Sequence, residues 1–322
     1  MSVSVIVSNF NGLKYLPRLV ESLRAQRGVE MEIIFVDRQS TDGSIDYIQS
    51  FPGVLLTMEP PETGLVAGYH AGSKIASKEN LFFCNEDMWF EPDCLALLEK
   101  NLNPSLGVIA TDPWQWNYEG NERIHAGTRF QQSRFCVNSA HPFYSPNFDC
   151  DLPVGSVVPF PCAGAFLITA QCYRDLGGWD TSFFLNHEDI DLFIRAWQQN
   201  YKCVTVPQAK VYHACGASNG KAIQKGKLSV GKRRYVSSLA SLVIIGLKYF
   251  SLFPLFLNFL SMGLRVGGNL LRGRFRYFRW DFLVLSEIIR RAPAAVRFRK
   301  ENQRWNRLKT GESFFSGSEF RR

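Results

Sequence analysis

Short apolar runs punctuate the first 110 residues at near-regular intervals. SVSVIVS (2–8), MEIIFVD (31–37), VLLTM (54–58), NLFFC (80–84) and GVIAT (107–111) have the length and side-chain content of buried strands. Between them the period changes. Leu13, Leu16, Leu19, Val20 and Leu23 follow helical spacing, AGYHAGSKIAS (67–77) reads as a helix, and Pro92 stands where a first-turn proline is tolerated before CLALLEKNL. Strands alternating with helices predict an α/β fold, a mostly parallel sheet flanked by helices. From Asp112 to Pro161 no period holds, which predicts irregular loop and short edge strands, or a loop that shapes a binding site. Order returns with CAGAFLIT (162–169) as a strand, AQCYRDLGG and EDIDLFIRAWQQN as helices, and CVTVP and VYH as strands.

Composition sharpens this picture in one respect, the distribution of charge. The chain of 322 residues carries a net charge of +8, with 46% hydrophobic and 20% charged residues, which suits a folded core. After Gly220 there are 22 Lys and Arg against 5 Asp and Glu, whereas the first 220 residues hold 15 basic and 24 acidic. Two regions are expected, an acidic body over 1–220 and a basic, apolar helical tail over 221–322. The 8 cysteines form no CxxC pair, and Met1 leads straight into VSVIV with no leader pattern, so reduced thiols in a cytoplasmic protein are expected.

Ligands of an open parallel sheet sit beyond the carboxyl ends of its strands. Polar clusters fall at three such ends: Ser8-Asn9, Asp37, and Asn85-Glu86-Asp87. Asp37 can accept from a ribose hydroxyl or a base N–H, or can brace an Asx turn in VDRQSTDGS. Two acids beside the apolar LFFC are costly without a cation, which suits Mg2+ or Mn2+, although a solvated turn before a helix has the same composition. Glu188, Asp189 and Asp191 crowd one helix start, with Asn186 a candidate cap. Acids there complement the helix dipole, and Asp191 can pair with Arg195, yet a general base for a sugar hydroxyl is also a carboxylate. His213 ends VYH, as a metal ligand or as a structural imidazole.

Taken in order, VSVIVSNFNG, VDRQSTDGS, GLVAGYHAG, CNEDMWFEPD, CAGAFLIT, GGWDTSFFLNHEDIDLFIRA and VYH resemble the family 2 glycosyltransferases, and within them the bacterial rhamnosyltransferase-like branch. The likeness covers roughly residues 2 to 218. It implies a GT-A (Rossmann-like) fold, a nucleotide-sugar donor, a divalent metal and inversion at the anomeric carbon. By position, Ser8, Asn9 and Asp37 would hold the nucleoside. Asn85-Glu86-Asp87 takes the place of the DxD motif, with Asp87 and His213 as metal ligands. Glu188-Asp189 matches the ED motif, with Asp189 as the base, and Trp179 and Asp180 would line the sugar and acceptor pocket. The chain departs from the family pattern at Arg38, at Tyr69-His70 and at Asn85, which bears on donor identity. Arg38 would contact a phosphate or lie on the surface.

The tail adds a partner. LASLVIIGLKYFSLFPLFLNFLSM (239–262) is long enough to span a bilayer, but Pro254 would bend it and Lys248 places a charge near its middle. RGRFRYFRWDF follows, mixing arginine with aromatics as an anionic membrane interface favours. Nucleic acid is not the expected partner, because an adjoining apolar run has no use there. The full expectation is an inverting, metal-dependent transferase at the cytoplasmic face of a membrane. It would act on a saccharide or lipid-linked saccharide in cell-surface polysaccharide or glycolipid assembly. Its competitors are a sugar nucleotidyltransferase, for which SNFNGLKYLP lacks the glycine-rich phosphate loop, and a non-catalytic sugar-nucleotide-binding protein.

Overall fold

The computed structural model describes residues 2–132, 141–215, 231–302, 313–317 and 320. It forms two compact units, Met1–Thr128 with Phe148–Phe184 and Asn200–Leu228, and Arg129–Asn147 with Leu185–Gln199 and Ser229–Arg322.

The first unit opens as the apolar pattern predicts: β1 (Ser2–Asn9), α1 (Leu16–Arg24), β2 (Glu30–Asp37), α2 (Ser44–Gln49), β3 (Val54–Met58), α3 (Gly64–Ile75) and β4 (Asn80–Asn85). α1 buries Leu16, Leu19, Val20 and Leu23, one helical stripe against the sheet core. α3 presses close to β1 through two glycines. A Cβ on Gly68 would meet Ser8 Oγ at 2.4 Å, and one on Gly72 would meet Ile6 at 2.4 Å. The GLVAGYHAG block is thus spaced for packing.

β5 (Met88–Phe90), α4 (Cys94–Lys100), β6 (Val108–Asn117) and β7 (Arg123–His125) follow. β10 (Val157–Val158), β11 (Ala165–Thr169), α5 (Ala170–Asp175) and β12 (Lys202–His213) complete this unit. The sheet runs β10-β12-β6-β11-β4-β1-β2-β3, with β5 beside β12 and β7 beside β6. β3, β2, β1 and β4 are parallel, as are β6 and β12. β11 lies between these blocks and is antiparallel to both neighbours. AFLIT is buried on both faces, so its apolar pattern carries no information about direction. CVTVP and VYH prove to be one strand, β12, whose register against β6 shifts between Val206 and Lys210.

The second unit comprises the hairpin β8 (Arg129–Gln132) and β9 (Tyr144–Asn147), then α6 (Glu188–Gln198), α7 (Lys232–Tyr249), α8 (Leu252–Leu271), α9 (Phe275–Asn302) and the short α10 (Ser313–Ser316). Its aromatic core joins Phe130, Trp197, Phe250, Phe314 and Phe320 through ring contacts. The apolar run 239–262 is not one helix. Phe250 and Ser251 are extended, and the chain restarts as α8. Pro254, expected to bend a helix, stands in the first turn of α8, where its missing N–H costs nothing. Lys248 is buried and pairs with Asp191. No helix among the described residues is long and apolar enough to cross a membrane.

Candidate active site

The parallel register brings three strand ends level. Asn9 is paired with Asp37 and Ser8 with Asn85, so the polar clusters after β1, β2 and β4 share one edge of the first unit. Ser8, Asn9 and Asp37 are fully buried. Asp37 accepts from Asn9 Nδ2 at 2.6 Å, from the Ser40 backbone N–H at 2.7 Å and from Ser40 Oγ at 2.8 Å. The Asx-turn role is therefore real, and it orders the loop in which Gln39 adopts positive φ, to which Asn11 is bonded from the loop after β1. A carboxylate has about four acceptor positions, so three bonds leave Asp37 capacity for a ligand. Ser8 Oγ and Asn9 Oδ1 are buried with no hydrogen-bond partner among the described residues.

Asp87 and His213 meet. His213 Nε2 lies 3.2 Å from Asp87 Oδ1, because β12 pairs with β5 just after Asp87 and sets His213 opposite Met88. The Ala214 N–H donates to the Asp87 carbonyl at 3.0 Å. His213 Nδ1 faces Gln115 Oε1 at 3.3 Å. Burial alone would lower the imidazole pKa, but bonding to and charge on Asp87, with Cys215, raise it to about 10. Protonated, the ring donates from both nitrogens; a cation replacing the Nε2 proton would keep both partners.

Asn85 completes this corner. Its Oδ1 accepts from Tyr69 Oη at 2.7 Å, and its Nδ2 lies 3.5 Å from His213 Nε2. Two departures from the family pattern, Tyr69 and Asn85, are thus bonded to each other. Glu86 is buried, and that burial, then the Asp87 charge, push its pKa up to about 8 despite Arg38. Arg38 is buried and sits over Phe10, so the surface placement allowed for it is corrected: it faces the electrostatic field of Glu86.

The donor set fits a divalent cation. A carboxylate oxygen and an imidazole nitrogen converge, beside a second buried acid that lacks full compensation. No group of three His, Cys, Asp or Glu side chains gathers among the described residues, so remaining ligands would come from Asn85, water or a bound diphosphate.

Trp179 and Asp180 also belong to the first unit. Trp179 is buried among Tyr69, Phe83, Phe166 and Tyr173, and its Nε1 has no partner among the described residues. Asp180 accepts from the Ser182 N–H at 2.9 Å and shapes the turn after Trp179.

Glu188 and Asp189 open α6 in the second unit. Asn186 does not cap that helix. The cap position is His187, without a side-chain bond, and Asn186 Nδ2 instead donates to Ser238 Oγ. Asn186 and His187 both have φ of 69°, two successive left-handed residues immediately before the acids. Glu188 is buried, its Oε2 has no partner among the described residues, and burial, then Asp189, raise its pKa to about 8. Asp189 is half-buried and accepts from the Ile190 N–H at 2.8 Å. Asp191, one turn further in, is bonded by Arg195 at 2.8 Å, by Lys248 and by Tyr249 Oη at 2.9 Å.

The profile of "Glycosyl transferase family 2" matches residues 4–177, more than half of the chain. The chain belongs to glycosyl transferase family 2. An uncharacterized glycosyltransferase of Nostoc sp. is 34% identical over 94 residues, which cover 28% of this chain and 29% of that protein. The uncharacterized glycosyltransferase YwdF of Bacillus subtilis is 24% identical over 242 residues, covering 74% of this chain and 83% of YwdF. Among solved structures, GalNAc-T7 with UDP, GalNAc and Mn2+ superposes with a TM-score of 0.58 at 17% identity, over 78% of this chain and 48% of that one. S. aureus TarS 1-349 gives 0.50 at 13% identity, over 94% and 92%. These likenesses establish the shared GT-A glycosyltransferase fold.

The match to family 2 ends before Trp179, so Asp180, Glu188, Asp189 and His213 rest on this chain's own geometry. Sequence reasoning missed Gln115. It stands between two tryptophans in a stretch without periodicity, and only the pairing of Gln115 with Val211 reveals its reach to His213. A glutamine between two tryptophans was the available signal.

Proposed function

We propose that this family 2 chain transfers a hexosyl or deoxyhexosyl group from a nucleoside-diphosphate donor to an acceptor hydroxyl, with inversion. The observation that carries this reading is the meeting of Asp87 with His213 beside level, buried strand-end acceptors. Ser8, Asn9 and Asp37 hold the nucleoside through hydrogen-bonding capacity that the fold leaves unused. Mg2+ or Mn2+ held by Asp87 and His213 neutralises charge on the departing diphosphate, and the imidazole in the set favours Mn2+. Asn85, fixed by Tyr69, orients the same corner. Asp189 takes the acceptor proton, and Glu188, protonated to about pH 8, is a hydrogen-bond donor next to it. Trp179 and Asp180 shape the sugar and acceptor side.

The acceptor is a saccharide or lipid-linked saccharide in cell-surface polysaccharide or glycolipid assembly, met at the inner face of the membrane. The apolar and basic helices of the second unit support that setting. A panel of nucleotide sugars, UDP-sugars first because the fold neighbour was crystallised with UDP, is incubated with purified chain and Mn2+. Slow donor hydrolysis or transfer that EDTA abolishes and Mn2+ restores is expected. Donor-independent or EDTA-insensitive turnover would overturn the metal role, and pyrophosphate release from a nucleoside triphosphate plus sugar phosphate would favour a nucleotidyltransferase instead.

A further inference from the structure

α8 is turned inside out relative to a helix of a water-soluble fold. The residues it buries are Pro254, Asn258, Ser261 and Asn269, whereas Leu252, Phe253, Phe256, Leu260, Leu264 and Leu271 are exposed. Leu252 is 82% exposed and Phe256 60%. The polar side is fully used inside the unit. Asn269 Nδ2 donates to Asp281 at 2.9 Å, Ser261 Oγ donates to the Asn258 carbonyl at 2.8 Å, and a Cβ on Gly246 would meet Asn258 at 2.7 Å. A soluble surface helix carries the reverse pattern.

α9 adds a second exposed apolar row. Val284, Ile288 and Ala295 are buried on its packed side, while Phe275, Phe282, Ile289 and Val296, at every seventh position, are exposed. Phe275 is 63% exposed and Ile289 65%. Patches of this extent on a protein surface mark an interaction site.

Charge identifies the occupant. Arg272, Arg274, Arg276 and Arg279 crowd the junction of the two helices and are all exposed. The acids on these helices are mostly engaged in place: Asp281 is buried and accepts from Tyr235 and Asn269, and Glu287 is paired with Arg290. Glu301 lies at the far end. A second copy would bring like charges together, and a neutral apolar partner would leave four arginines without counter-charge. An anionic phospholipid surface accepts both features at once.

We propose that the exposed faces of α8 and α9 form a peripheral docking surface for an anionic bilayer, with Phe256, Leu260, Phe282 and Ile289 entering the headgroup–acyl boundary and the arginines of the α8–α9 junction contacting lipid phosphates. This rests on the second unit alone and is independent of the transfer reaction proposed above.

The full chain is sedimented with sucrose-loaded vesicles of phosphatidylcholine, or of phosphatidylcholine with about 40% phosphatidylglycerol, at low and high NaCl. Binding to the anionic vesicles, weakened by salt, is expected. Arg274→Glu with Arg276→Glu should weaken it by about fivefold or more per arginine. Phe256→Glu with Phe282→Glu should abolish it while leaving the melting temperature unchanged, since both rings are exposed. Equal binding to neutral and anionic vesicles, or none to either, would overturn the proposal. So would a dimer in light scattering without lipid that Phe256→Glu with Phe282→Glu dissolves. Because no donor is present, this outcome is separable from failure of the transfer assay.

Discussion

Asp191 and Glu188 stand one turn apart on the same helix and are treated in opposite ways. Asp191 is sealed with a guanidinium, an ammonium and a phenol, so its charge is answered inside the fold. Glu188 is equally buried, has an oxygen without a partner among the described residues, and keeps its proton to about pH 8. Glu86 in the first unit resembles Glu188, with Arg38 offsetting only part of the cost. Asp191 is satisfied by the chain, whereas Glu188 and Glu86 are buried with incomplete compensation. Burial of polar groups without partners is expensive, and the reaction proposed above supplies a reason for Glu188 to bear that cost.

This contrast breaks most visibly at the proposed reacting groups. Asp189→Asn should lower transfer by about 10²–10⁴-fold while donor binding, followed by calorimetry, is kept. Retained transfer would assign the base elsewhere. Asp191→Asn should act on folding instead, costing about 3–5 kcal/mol because it leaves Lys248 and Arg195 buried with too little negative charge. Urea unfolding measures it, and joint Asp191→Asn and Lys248→Met should cost less than the two changes summed.

Smaller effects sharpen the picture. Tyr69→Phe removes the hydroxyl that holds Asn85, and should weaken Mn2+-dependent nucleotide binding by about tenfold or somewhat more. Unchanged Mn2+ affinity would leave Tyr69 as core packing alone. The last change, Glu188→Gln, is read from the pH dependence of stability. In the folded chain Glu188 stays protonated to about pH 8, whereas the unfolded chain ionises near the ordinary 4.5. The unfolded state then binds fewer protons between those values, so stability falls as pH rises through that window. The glutamine variant does not titrate. It should melt above the unaltered chain at pH 8 and level with it near pH 4.5, and parallel melting curves across pH would refute the buried, protonated carboxyl.

Much of the first unit was legible because β1, β2 and β4 are apolar on both faces and end in polar residues at matching positions. Asp87 and His213 could be named through the likeness of CNEDMWFEPD and VYH to the family, since a histidine at a strand end is by itself more often structural. Gln115 could not, since its role depends on the register of two strands far apart in the chain. Arg195 was visible as the partner of Asp191 because a helix places four-apart residues together. Lys248 was not, because its ammonium read as an intrusion in an apolar run until α7 was seen to pack it beside Asp191 and under Phe298. The charge that argued against a spanning helix turned out to be an internal counter-ion.

The shift in β12 between Val206 and Lys210 sets a limit on how this chain can drift. Side chains alternate across a strand, so adding or deleting one residue between the shift and His213 would exchange the faces of every position downstream. With one residue added, Tyr212 would take the place of His213 opposite Met88, and with one removed the imidazole would move to the Trp89 side, so in neither case would it stand where it now meets Asp87. The same slip would turn the buried Val211 away from the core, so length in this short stretch is as restrictive as the identity of His213 itself.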